Sequence, residues 1–209
     1  MPRAPFLSLD GLDGTGKSTQ CCLLGAWLRS RGHTVTECTD PGGTPTGDQI
    51  RALLLDHRQE MSVLCEMLLF MASRADLTAA VIRPALETGH VVIADRFLLA
   101  NVVYQGHSGG LDPDRIWEVG RLATGGLDPD LTLVLDLPAD MAAARRIGAA
   151  DRLESRDRDY HIRVREGFLA EARRRPDRIR VIDASRPIEA VHQEICREVL
   201  HVLEAGPRA

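Results

Sequence analysis

Short apolar runs rich in β-branched residues alternate along the chain with longer stretches whose apolar positions recur at helical spacing. The short runs fall at residues 6–10, 33–39, 91–95, 131–136 and 179–183 and predict five strands. Helical spacing predicts helices over residues 17–30, 62–87, 114–123, 139–147, 160–174 and 187–203. A strand that is apolar at nearly every position is buried on both faces, and strands separated by helices pair in parallel because a parallel pair needs a long crossover. The pattern therefore predicts an α/β protein, a five-stranded parallel sheet flanked by helices, with no internal repeat.

Composition narrows the picture. The 209 residues, 44% of them hydrophobic, suffice for one compact domain spanning residues 1–209. A net charge of −4 with no isolated Lys/Arg block lacks the electrostatic footprint of a nucleic-acid binder and leaves small anionic ligands as partners. Cys21, Cys22, Cys38, Cys65 and Cys196 are odd in number and form no Cys-x-x-Cys pair, so they read as reduced thiols. Met1 to Pro5 lacks the basic and apolar regions of a signal peptide, and no apolar run is long enough to span a bilayer. The expectation is a cytoplasmic protein that uses neither a membrane nor a nucleic acid.

The sharpest chemical signal lies between the first strand and the first helix. Gly11-Leu12-Asp13-Gly14-Thr15-Gly16-Lys17-Ser18 fits the phosphate-binding pattern G-x-x-x-x-G-K-[ST] in the strand-to-helix context it requires. Its glycines let backbone N–H groups turn inward around phosphate oxygens, and the positive end of the following helix adds to the attraction. Lys17 would neutralise β/γ-phosphate charge, Ser18 would give a hydroxyl to Mg²⁺, and Thr19 would add a second hydroxyl. Such a loop serves kinases, GTPases and other ATPases alike; the Asn-Lys-x-Asp segment by which GTPases read guanine does not occur here.

Other residue pairs carry chemistry at suggestive spacing. Phe70 and Arg74, four apart, share one face of a predicted helix and set an aromatic plate beside a cationic fork, although spacing alone equally suits a core Phe and a solvated Arg. Asn101 and Gln105 repeat that spacing with carboxamides that both donate and accept; such residues also serve as caps or surface groups. Asp95-Arg96 ends the apolar run Val91-Val92-Ile93-Ala94, at the carboxyl end of a strand, where open α/β sheets place ligands. Asp10 ends the first strand, either as support for the site or as a turn residue. Residues 148–158 have no apolar period and carry Arg152, Arg156 and Arg158, which reads as a mobile charged loop or as a solvated charge run.

Together, Phe6 to Gln20, Pro41-Gly42-Gly43-Thr44, Leu69 to Leu77, Asp95 to Gly106 and Asp151 to Glu154 resemble the thymidylate kinase family in order and spacing, over nearly the whole chain. The resemblance implies a P-loop nucleotide kinase fold with a mobile lid at about residues 148–159, and transfer of the ATP γ-phosphoryl group to dTMP with Mg²⁺. By that resemblance Phe70 stacks on thymine and Arg74 donates to its O4, a donor-only contact that would repel the amino group of cytosine. Asn101 and Gln105 contact the base, Tyr104 crowds the sugar where a ribonucleotide carries its 2′-hydroxyl, and Asp13 accepts from the 3′-hydroxyl. Arg96 clamps the acceptor phosphate, and Asp95 holds Mg²⁺ through water or orients the site. Some family members carry an Arg in the P-loop where this chain has Gly14; the others supply the catalytic cation from the lid, and Arg152 is the first candidate.

The match has departures. Thr39-Asp40 stands where many members have Arg-Glu, Phe97 where Tyr is common, and Ala100 where Ser is common, which removes an Arg contact and two hydroxyls near the monophosphate. A kinase of another pyrimidine monophosphate and a catalytically silent nucleotide-binding protein of the same fold therefore stay open. The family usually forms a symmetric homodimer, and Met61, Leu64, Cys65, Leu68 and Leu69 make the helix over 62–87 apolar enough for one, or for burial beneath a neighbouring helix.

Overall fold

The computed structural model describes residues 4–146, 152 and 155–206. Residues 147–151, 153 and 154, which include half of the expected lid and the end of the helix predicted over 139–147, lie outside the described residues.

Five strands, β1 (Phe6–Asp10), β2 (Val35–Thr39), β3 (Val91–Asp95), β4 (Leu131–Asp136) and β5 (Ile179–Asp183), form one parallel sheet in the order β2-β3-β1-β4-β5. Burial follows position in the sheet. β1, β3 and β4 are buried at almost every residue, whereas the edge strands β2 and β5 alternate with exposed positions. Leu9, Ile93 and Leu133 are fully buried in this centre; cutting one such leucine to alanine costs about 2–5 kcal/mol. From β1 the chain passes to β2 on one side of the sheet, and from β3 it crosses to β4 on the other. The crevice at the carboxyl ends of β1 and β3 lies where these connections diverge, the usual ligand position in such sheets.

α1 (Lys17–Ser30) coincides with its prediction and packs with α9 (Ile188–Ala205). α6 (Pro113–Thr124), α7 (Ala139–Arg145) and α8 (Arg158–Arg174) also fall close to the expected ranges. Three features differ. The region predicted as one helix over 62–87 is α3 (Val63–Leu77), a wider π-helical turn at Thr78–Ile82, and α4 (Arg83–Glu87). Pro84 has no N–H to give to the turn before it, which breaks the regular ladder there. An additional helix, α2 (Pro45–Leu55), starts where Thr44 Oγ1 accepts from Gly47 N at 2.9 Å and Pro45 occupies the first turn. After β3 a short α5 (Leu98–Asn101) runs into a second π-helical turn, Val102–His107. None of the helices among the described residues is long and apolar enough to cross a membrane.

Candidate active site

A cavity of about 410 Å³ opens at the carboxyl ends of β1 and β3 and runs from the Gly11–Ser18 loop to the second π-helical turn. At one end, α1 begins at Gly16, whose φ of 92° is left-handed and which gives no side-chain cap. The first N–H groups of α1 therefore have no side chain to serve and face the cavity, as an anion site requires. Lys17 lies beneath them, buried, its Nζ donating to Leu12 O at 2.8 Å and standing 3.5 Å from Asp13 Oδ1. Burial, together with repulsion from Arg96, pulls the Lys17 pKa down against the attraction of Asp13, Asp95 and Asp10.

Arg96 follows β3 with φ 70°, a left-handed conformation that a non-glycine residue adopts only when its surroundings impose it. That turn aims its guanidinium across the sheet end: Nη1 donates to Gly11 O at 2.8 Å and Nη2 to Asp13 Oδ1 at 2.5 Å. Burial alone would raise the Asp13 carboxyl, but the charges of Arg96 and Lys17 outweigh it and hold Asp13 well below the usual carboxylate range. Asp10, fully buried at the end of β1, accepts no hydrogen bond from the described residues. Burial pushes it up to about 7, against the pull of Arg96 and Lys17.

Ser18 Oγ donates to Asp95 Oδ2 at 2.6 Å, so α1 and β3 bring together the hydroxyl and the carboxylate expected at a metal. A hard-oxygen pair of this kind, completed by water and phosphate oxygens, suits Mg²⁺, which needs only one or two protein ligands at phosphate sites. Gly14 explains why no side chain projects from the loop here. A Cβ at that position would lie 2.1 Å from Ala142 O in α7 and 3.3 Å from Arg146 Cγ, so α7 and Arg146, the residue that follows it, occupy that space.

The other end of the cavity is lined by Phe70, Arg74, Ala100, Asn101, Tyr104 and Gln105. Arg74 is not solvated: it is 1% exposed and its Nε donates to Asp40 Oδ2 at 2.5 Å. Its Nη1 donates to Asn101 Oδ1 at 2.6 Å and its Nη2 to Phe97 O at 3.3 Å. Of five N–H groups, at least one on Nη2 remains for a ligand. Asn101 Nδ2 in turn donates to Gln105 Oε1 at 2.6 Å, and Gln105 Nε2 to Glu66 Oε1 at 2.7 Å. The Tyr104 hydroxyl lies between the ends, 3.4 Å from Arg96 Nη2 and 3.5 Å from Asp13 Oδ2.

The structure thus gathers Asp13, Gly14, Gly16, Lys17, Ser18, Thr19, Phe70, Arg74, Asp95, Arg96, Asn101, Tyr104 and Gln105 around one space. Gly11 and Leu12 contribute carbonyls behind it, and Thr15 Oγ1 donates to Leu12 O. Arg152 is not among the lining residues: its Nε donates to Leu54 O at 2.8 Å and its Nη2 to Glu66 Oε2 at 2.6 Å. A role for Arg152 at the phosphates requires it to leave both partners. Arg145 and Arg146 line the cavity instead, and neither was singled out from sequence. Asp40 and Glu66 were missed as well. Asp40 follows β2 at the sheet's carboxyl edge, a position that marks it, whereas nothing local distinguishes Glu66 from a surface glutamate.

Comparison with known proteins identifies the family. The family model for thymidylate kinase matches residues 9–195. A thymidylate kinase of Symbiobacterium thermophilum is 48% identical over 200 residues, 95% of this chain and 94% of the relative. One of Deinococcus radiodurans is 45% identical over 197 residues, 93% of this chain and 96% of the relative. The crystal structure of a thymidylate kinase from Ehrlichia chaffeensis superposes with a TM-score of 0.78 at 31% identity, covering 95% of this chain and 99% of that one. With such a match along nearly its whole length, the chain belongs to the thymidylate kinase family.

Proposed function

We propose that this protein transfers the γ-phosphoryl group of ATP to dTMP, giving dTDP and ADP on the route to dTTP. The observation that carries the reading is a single cavity joining the P-loop to an aromatic and carboxamide edge suited to a pyrimidine. The triphosphate lies on the N–H groups of Asp13 to Thr19, with Lys17 against the β/γ oxygens. A second space beside the P-loop, bounded by Thr19, Gln20 and residues 184–189, accommodates the donor nucleoside. Ser18 and Asp95 hold Mg²⁺, which supplies neutralising charge to the phosphates. Arg96 clamps the acceptor phosphate, Asp13 accepts from the 3′-hydroxyl and Tyr104 limits the space at the 2′ carbon. Phe70 stacks on the base while Arg74, Asn101 and Gln105 face its polar edge.

The transferring phosphoryl group needs one more cation. Arg152 is the expectation from sequence and must leave Glu66 to serve; Arg146 already stands against Gly14. Ala100, which lines the cavity without the hydroxyl common in the family, favours a second reading in which other pyrimidine monophosphates are also accepted, whereas Phe97 is buried against Phe6 and does not line the cavity. We further propose a single-domain cytoplasmic enzyme that pairs as a homodimer through the exposed Leu64, Cys65 and Leu68 of α3, a state sedimentation would reveal. The decisive assay is coupled ADP release from ATP with dTMP, dUMP, dCMP and dGMP side by side. The highest kcat/KM is expected with dTMP; a higher value with dCMP would move the substrate, and no turnover with any would end the kinase reading.

A further inference from the structure

Glu66, on the first turns of α3, has no part in the roles assigned above, yet its carboxylate is 1% exposed and fully engaged. Oε1 accepts from Gln105 Nε2 at 2.7 Å, and Oε2 accepts from Arg152 Nη2 at 2.6 Å and Arg156 Nη2 at 3.0 Å. Taken with the contacts at the base end, this makes one continuous chain: Asp40, Arg74, Asn101, Gln105, Glu66, then the two arginines.

The chain has only one consistent polarity. A guanidinium only donates, so Asn101 must turn its oxygen to Arg74; an ionised carboxylate only accepts, so Gln105 must turn its nitrogen to Glu66. The remaining contact then pairs Asn101 nitrogen with Gln105 oxygen, as found. Flipping either amide would set oxygen against carboxylate or N–H against N–H, a costly mismatch at such buried positions. Glu66 is thus one of the two charges that decide which atoms Asn101 and Gln105 have left for a ligand. Its own charge is held by arginines from outside α3. Arg156 also lies 4.5 Å over the ring of Tyr160, whose hydroxyl donates to Tyr104 O in the same π-helical turn.

We propose that Glu66 is a positioning residue for the acceptor base: anchored by Arg152 and Arg156, it fixes the carboxamide orientation of Gln105 and Asn101 and so sets the preference for thymine over cytosine. The proposal rests on the reading that the base meets Asn101 and Gln105. Thymine offers an acceptor at O4 and a donor at N3, and cytosine the reverse, so an amide free to rotate serves both. Removing the carboxylate charge, or one arginine that holds it, lets Gln105 present either end.

The test is a double-mutant cycle on the full chain with Glu66→Gln, Arg156→Gln and the double variant. It reads dTMP binding by calorimetry without ATP, and the dTMP/dCMP ratio of kcat/KM. Glu66→Gln is expected to raise the dTMP Kd about tenfold and to lower the dTMP/dCMP ratio by a similar factor, the scale of a coupling through charged hydrogen bonds. The ATP Kd should not move. Arg156→Gln should act in the same direction by about threefold, and the double variant should be no worse than Glu66→Gln, because both cut the same chain. A folded Glu66→Gln with unchanged dTMP Kd and ratio, or strictly additive losses, overturns the proposal. If Glu66→Gln does not fold, an Arg156→Gln protein with an unaltered ratio overturns it alone. Failure of the substrate reading looks different: the unaltered protein itself would neither bind dTMP nor prefer it.

Discussion

The two ends of the cavity are held in opposite ways. At the phosphate end, charged groups make do with one another: Arg96 pairs with Asp13, Lys17 turns back to Leu12 O, and Ser18 closes on Asp95. On the proposed function these residues serve phosphate oxygens and a cation, to which charge-assisted hydrogen bonds are the strong contacts. At the base end, neutral carboxamides sit between the Arg74 guanidinium and the Glu66 carboxylate in a chain that runs from Asp40 to Arg152 and Arg156, and each amide is oriented by its neighbours. On the proposed function, affinity and catalysis belong to the first arrangement because charge acts at range in a buried site, and discrimination belongs to the second, since it depends on which of two nearly isosteric atoms faces the ligand.

The contrast can be broken most severely at Lys17. Lys17→Ala should lower kcat by about 10³-fold or more while leaving the melting temperature nearly unchanged, because this lysine serves phosphate rather than packing. Near-normal turnover in a stopped assay would remove the P-loop from the mechanism. Next in size is the missing cation. Arg146→Ala is expected to reduce kcat about 10²-fold with little change in the Kd of ATP or dTMP, since the contact strengthens only as charge spreads in the transition state. Arg152→Ala should instead weaken dTMP binding through Glu66. A larger kcat loss from Arg152→Ala, at unchanged affinities, would return the role to the residue expected from sequence.

At the base end the expected change is smaller and appears as a ratio. Arg74→Gln should narrow the dTMP/dCMP preference about tenfold by replacing a donor-only group with one that also accepts. An unaltered ratio in the folded variant would place the discrimination elsewhere. The smallest effect per step concerns Asp10, whose folded pKa is raised to about 7 from 3.8. Between those values the folded state binds the proton and the unfolded state does not. Stability from this group is therefore full below the unfolded pKa and is lost as pH rises through about 7. Relative to Asp10→Asn, the unaltered protein should lose about 1 kcal/mol per pH unit across that window, read from urea unfolding at several pH values. A constant difference between pH 4 and pH 8 would mean that Asp10 is not protonated there on folding.

Much of the fold was legible because its signals are local. An apolar β-branched run reads as a buried strand wherever it falls, and β1, β3, β4 and β5 lie where such runs were found. α2 escaped because its start signals, the capping Thr44 and Pro45, stand directly after the Pro-Gly-Gly turn and read as loop. The first π-helical turn escaped for another reason: residues 78–82 keep helical composition, and the missing N–H of Pro84 falls inside a run otherwise periodic as one helix.

By itself, then, the sequence determined the strand and helix alternation, the phosphate loop and the family, because each is written in adjacent residues whose chemistry needs no partner from elsewhere in the chain. It also marked most of the cavity's side chains through their spacing. Tertiary structure alone decided what those side chains face. Asp40 meets Arg74 across 34 positions of sequence, Glu66 meets Gln105 across 39 and Arg152 across 86. A glutamate and an arginine far apart in the chain look the same whether they end in water or in a buried pair, since that choice depends on which elements the sheet brings together. Only once α3, the turn after β3, Arg152 and Arg156 converge does Glu66 acquire three donors and lose contact with solvent.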